Sequence, residues 1–182
     1  MHSETDHDHY GSIAFDKGSF MTGPIRTAMA ARPLADSAAK ELNMAARSEN
    51  ERNKAVVDEF YKAGIQGHLT RFAQYLHPDF TWTAPNYLPW GGTHTGATLF
   101  RDQVLSRLPD VLDFTRFSYD NVVAEDGYVV AVINMGVTGT DAIIEIADHW
   151  TVRDGKVASI WVACFEPQAL LEKLGIAHGL GR

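Results

Sequence analysis

Between residues 114 and 166 the chain repeats one pattern four times: a long run rich in Val, Ile and aromatic residues, then a break built on Asp and Gly. The runs are FTRFSYDNVVAED, YVVAVINMGVTG, AIIEIADHWTVRD and KVASIWVACFE, and the breaks between them are EDG, GTD and DGK. Branched and aromatic side chains suit a pleated, half-buried backbone, and Asp-Gly pairs supply the tight turns of hairpins. Four such runs in succession specify a meander of antiparallel strands. A sheet of that size has an apolar face that other elements must cover.

The covering elements lie upstream. ENERNKAVVDEFYKAGIQG sets Val56, Val57, Phe60, Tyr61 and Ile65 at spacings of three and four, one apolar stripe on a helix that should stop at Gly64 or Gly67. A short helix, HLTRFAQYL, follows. HPDFTWTAP then alternates Phe80, Trp82 and Ala84 with Thr81, Thr83 and Pro85, the period of a strand bounded by prolines. NYLPWGGTHTG, with Pro and three glycines, reads as a loop, and TLFRDQVLSRLPDVL returns to helical spacing. This order predicts an α+β fold, a curved antiparallel sheet with helices covering one face.

Four zones follow from the same pass. Residues 1–32 mix His, Asp, Ser and Gly with few clustered apolar residues and read as a flexible tail. His2, His7 and His9 with Asp6 and Asp8 could ligate a transition metal but lack a scaffold to fix their geometry, so no metal site is expected. Residues 33–48, opened by Pro33, read as a short helical extension packed on the outside, residues 49–176 as the domain, and 177–182 as a C-terminal tail.

Charge and cysteine use narrow the function. Among 182 residues, 16 Lys and Arg face 23 Asp and Glu, a formal charge of −7. That balance lacks the basic excess needed to neutralise phosphates or anionic lipid, so neither nucleic acid nor membrane is an expected partner. No run of apolar residues reaches the length of a membrane span, and the N-terminus has no signal-peptide pattern. One cysteine, Cys164, fits a reducing cytoplasm. No Gly-rich phosphate loop stands out, so no cofactor is expected.

The helix AVVDEFYKAGIQG, the strand HPDFTWTAP, the segment LPWGGTHTG and the closing IADHWTVRDGKVASI, taken in this order, resemble the SnoaL-like and ketosteroid-isomerase-like proteins of the nuclear-transport-factor-two-like superfamily, over about residues 53–174. The resemblance implies that the N-terminal helices wrap the sheet into a conical barrel with a deep cavity between them, commonly in a homodimer packed sheet on sheet. The fold alone does not select among isomerases, cyclases, dehydratases, hydrolases and binding proteins that share it.

Within IADHW, Asp148 is the leading catalytic candidate, because the resemblance places an acid-base residue there. Its neighbours two apart, Ile144, Ile146, Trp150 and Val152, share its side of the strand. A carboxyl among them loses water without gaining a cation, which raises its pKa toward neutrality. The isomerase pattern is broken at two positions: its general base falls at Ala84, and its helix tyrosine falls at Phe60, with Tyr61 turned about 100° away on an ideal helix. The epoxide-hydrolase arrangement of alternating Arg and Asp is missing too.

His94 in the Gly-rich segment is a second catalytic candidate, as a proton shuttle at the cavity mouth. Trp82, Trp90, Tyr61, Ile146, Trp150 and Val162 are expected to wall a small apolar or ring-shaped ligand, with Asn86 and Tyr87 at the rim. His149, Trp161 and Phe165 fall on the opposite face, where a homodimer contact is expected. The leading function is acid-base catalysis of cyclisation, isomerisation or dehydration on a small cyclic or polyketide-like molecule. The alternatives are a ligand-binding protein without chemistry, and an interaction module whose cavity is filled by its own side chains.

Overall fold

The computed structural model describes residues 32–176, so the predicted tails, including the N-terminal histidines, lie outside the described residues. The chain separates into two units, Met1–Ala38 and Ala39–Arg182. Of the first, only the opening of a helix falls among the described residues. Apart from that opening, all that follows concerns the second.

The two helices expected before residue 66 are one, α1, Arg32–Ile65. No helix breaker interrupts SENERNKAV, and Lys54 and Lys62 pair with acids three or four residues earlier (Lys54 to Glu51 at 3.0 Å, Lys62 to Asp58 at 2.6 Å). Residues 35–49 are solvent-exposed throughout. Only the later turns bury a face, through Val57, Phe60 and Tyr61; Ile65, expected in that stripe, is half exposed.

A 3-10 turn, Leu69–Tyr75, leads into β1, Leu76–Ala84, whose Phe80, Trp82 and Ala84 are buried as the alternation predicts. The segment read wholly as loop contains a short strand, β2, Gly92–Thr95, paired antiparallel to the end of β1. The helix predicted from Thr98 is broken. It consists of α2, Ala97–Phe100, a π turn at Arg101–Leu105, and α3, Leu108–Val111, which begins again with Pro109 in its first turn.

Then comes the meander: β3 Leu112–Glu125, β4 Tyr128–Val137, β5 Ile143–Arg153 and β6 Lys156–Phe165, followed by α4, Gln168–Lys173. The β3–β4 and β5–β6 turns place Asp126-Gly127 and Asp154-Gly155 at positive φ, the backbone that tight hairpins require.

The six strands form one sheet in the order β2-β1-β6-β5-β4-β3. It is mixed rather than purely antiparallel, because β1 runs parallel to β6. The helical segment after β1 carries the chain across before the meander begins at the far edge, so β6 arrives beside β1 in the same direction. Register shifts between Asp113 and Ser118 and between Tyr119 and Asn121 mark irregularities in β3 that bend the sheet. Its inner face meets α1, the 97–111 segment and α4, and the core fills the cone-like space between them with Phe60, Phe72, Trp82, Ile133 and Trp150. Each large side chain so buried contributes roughly 1.5–3 kcal/mol. Among the described residues no helix is long and apolar enough to cross a membrane.

Candidate active site

β5 alternates strictly. Ile144, Ile146, Asp148, Trp150 and Val152 are buried, whereas Glu145, His149 and Arg153 are exposed. The period of the strand therefore carries Asp148 to the inner face, where it is only 7% exposed. Register sets Ala131 of β4 and Val162 of β6 beside it, so both flanking strands present aliphatic groups.

Among the described residues, one hydrogen bond meets the carboxylate there. The Tyr61 hydroxyl donates to Asp148 Oδ2 at 2.6 Å. Burial raises the Asp148 pKa from 3.8 to about 6, and the Tyr61 hydrogen bond partly opposes that rise by stabilising the charged form. Burial and the adjacent Asp148 charge push the Tyr61 phenol well above its ordinary value, so it remains a donor. The Trp150 indole N–H bears on the Tyr61 oxygen and lowers that pKa somewhat, without the geometry of a hydrogen bond.

Tyr61 follows Phe60 about 100° further round an ideal helix, yet both line the cavity, their rings in edge contact at 5.2 Å. A helix seated against a curved sheet meets it over a wide arc, wide enough for adjacent positions to face inward. Stacking on Phe117 at 4.7 Å fixes the Tyr61 ring.

The cavity has about 70 Å³ of space for the centres of water molecules, against the roughly 10–15 Å³ that one water needs on that measure. A cluster of waters or one compact ring fits; a four-ring skeleton requires the walls to move. Tyr61, Trp82, Trp90, Ile146, Trp150 and Val162, all expected as walls, line it with Asp148. Ala84, where the isomerase base would stand, is also in the wall and brings no carboxylate.

The remaining candidates lie elsewhere. His94 is not among the residues that line the cavity: its ring stacks on Trp82 at 4.3 Å, and its Nε2–H donates to the Gly91 carbonyl at 2.7 Å. Asn86 and Tyr87 line a separate recess. His149 is exposed on the outer face, its ring edge-on to Trp161 at 4.9 Å. Cys164, which alternation puts on the same side of β6 as Val162 but which was not among the site candidates, also lines the cavity, and burial pushes its thiol pKa up to about 12. Among the described residues no cluster of His, Cys, Asp or Glu could hold a metal ion.

A family model described as the SnoaL-like domain matches residues 57–160. The chain belongs to that family. This SnoaL-like protein has no match among curated proteins. Its likeness to solved structures includes TerC co-crystallised with polyporic acid, at 23% identity and TM-score 0.57, covering 68% of this chain and 98% of TerC. An NTF2-like protein from Burkholderia thailandensis E264 matches at 21% identity and TM-score 0.56, covering 69% and 97% of the two chains. A steroid delta-isomerase from Pseudomonas aeruginosa matches at 21% identity and TM-score 0.54, covering 68% and 89%. At such identities the likeness is one of fold. It agrees with the ketosteroid-isomerase-like, nuclear-transport-factor-two-like architecture described above.

Proposed function

We propose that this SnoaL-like protein is a cofactor-independent acid-base catalyst that moves a proton on a compact cyclic or polyketide-like molecule, with Asp148 as the group that takes and returns it. The observation that carries this reading is a carboxyl group in an apolar cavity that accepts a hydrogen bond from a buried tyrosine. A pKa near 6 leaves Asp148 mostly ionised at neutral pH yet within about one unit of its protonated form, so it can both remove and redeliver a proton.

The step common to cyclisation, isomerisation and dehydration is loss of a proton from carbon beside a carbonyl. Asp148 accepts that proton, and Tyr61 holds the carboxylate in place while it does so. Trp82, Trp90 and Trp150 supply flat walls for a ring. The volume favours a single compact ring. With Ala84 at the position of the isomerase's general base, Asp148 must itself take the proton, which fits a cyclase-type reaction better than steroid isomerisation.

We further infer a homodimer packed through the outer sheet face, where Trp161 is 48% and Phe165 60% exposed beside His149. We place the reaction in the cytoplasm, where a lone thiol such as Cys164 stays reduced. The second reading, a binding protein without chemistry, draws on the same apolar lining. Asp148→Asn separates them: turnover of a ring ketone should fall by about 10²-fold or more while its affinity holds. Turnover and affinity both unchanged would refute the catalytic reading.

A further inference from the structure

β1 pairs with β6 as far as Thr83 opposite Trp161 and ends at Ala84, whereas β6 continues to Phe165. Beyond Trp161, among the described residues, no strand pairs with that edge of β6. A recess lies along the uncovered edge; Asn86, Tyr87, Thr83 and Thr93 contribute to its lining, as does Trp161, so it opens beside the face assigned to the dimer. On the measure used for the cavity it has about 490 Å³ of space.

Ala84, Val162 and Cys164 line both the recess and the cavity. The segment 85–91 forms the partition between them: its Leu88 and Trp90 line the cavity, and its Asn86 and Tyr87 line the recess. Two successive turns hold this segment, Leu88 N–H to the Pro85 carbonyl at 3.0 Å and Gly91 N–H to the Leu88 carbonyl at 2.9 Å. A side chain at position 91 would run into the Pro85 carbonyl, so glycine is required for the winding. Beside the partition, the Tyr87 hydroxyl and the Cys164 thiol lie close enough to act on each other's proton affinity.

The two hollows differ in chemistry. The cavity is apolar apart from the Asp148–Tyr61 pair, the Cys164 thiol and the indole N–H groups of its tryptophans. The recess carries an exposed amide at Asn86, the Tyr87 hydroxyl and the Thr83–Thr93 hydroxyl pair at 2.9 Å, beside the unpaired strand edge. We propose that the recess is the outer compartment of the same binding site. The ring of the substrate lies in the cavity, and a hydrogen-bonding side chain, bearing an amide or hydroxyl, passes between Tyr87 and Cys164 to lie along the free edge of β6. This rests on the reading of the cavity as a ring site, and it narrows the substrate class to a compact ring with one polar arm.

Calorimetry with two probes tests it: acetophenone, and acetophenone carrying a para N-(2-hydroxyethyl)carboxamide. The armed ketone should bind the wild-type protein about tenfold tighter, the scale of one or two well-formed hydrogen bonds. In the combined variant Asn86→Ala, Tyr87→Ala that gain should vanish while acetophenone affinity stays within about twofold, which also reports that the variant is folded. Equal affinity of the two ketones for wild type, or a gain that survives in the variant, overturns the outer compartment alone. Failure of both ketones to bind wild type overturns it together with the ring-site reading.

Discussion

The Tyr61 hydroxyl and the Asp148 carboxylate, 87 positions apart in the chain, meet at 2.6 Å inside the cavity. Each sets the other's proton affinity: the tyrosine lowers the pKa of the acid, and the charge of the acid raises that of the tyrosine. Replacing Tyr61 with Phe keeps the ring stacked on Phe117 and removes the donor. The Asp148 pKa should then rise above 6, and the limb of the pH–rate profile that depends on its ionised form should move upward with it. The variant should lose about 1 kcal/mol of stability, the net worth of one hydrogen bond. A profile unmoved by the substitution would mean that Tyr61 does not govern the acid.

Stability should respond to pH in the direction opposite to the usual salt-bridged carboxylate. The folded protein holds the Asp148 proton more tightly than the unfolded chain, with a pKa of about 6 against 3.8. The stabilisation from the protonated, buried form is complete below about pH 4 and is lost as pH rises through 6, on the order of 2–3 kcal/mol in all. Asp148→Asn cannot ionise, so it should gain several degrees in melting temperature relative to wild type between pH 4.5 and pH 7.5. Carboxylates such as Asp102 and Asp113, held low by their Arg and Thr partners, are present in both proteins and cancel in the difference. A constant gap across that range would contradict a raised Asp148 pKa.

Gly64 should not tolerate even a methyl group. It lies within α1, one residue before its end, and a Cβ there would overlap the Phe114 ring. Gly64→Ala improves helix propensity by up to about 1 kcal/mol, yet it should destabilise by roughly 1–3 kcal/mol because Phe114, itself a cavity wall, must move. Chemical denaturation measures the balance, and a stabilised variant would show that the close approach is slack.

The outer face offers an independent test. Trp161→Glu combined with Phe165→Glu places charge where a dimer would pack, and both positions are exposed in a single chain. Sedimentation should find the wild type dimeric and the double variant monomeric with an unchanged fold. A wild type that sediments as a monomer at micromolar concentration would remove the dimer from the account.

How much of this was legible beforehand depended on range. The alternation along β5 was enough to send Asp148 inward and His149 outward, because a strand's period is local. The same logic placed Trp82 on β1 and the turns at Asp126 and Asp154. Long-range pairings were hidden. Nothing near Tyr61 in sequence indicates that its hydroxyl reaches a strand 87 residues later; its place in the apolar stripe predicts only a cavity wall. Gly92–Thr95 looked like a loop because its alternation is polar and its strand short, and only pairing with β1 reveals it. His94 carries the right chemistry for a shuttle, but its Nε2 is engaged with a backbone carbonyl that no sequence pattern announces. Asn86 and Tyr87 were expected at the rim of one site and lie instead in a second hollow, since the fold of segment 85–91 decides which of its side chains face which side.

The central claim is that one enclosed carboxyl exchanges its proton near neutral pH. Carbon-13 NMR titration of the aspartate carboxyls, with Asp148 assigned by its disappearance in Asp148→Asn, measures this without any substrate. The predicted midpoint is about 6. A midpoint at or below about 4, the range of an ordinary aspartate in water, would contradict the account.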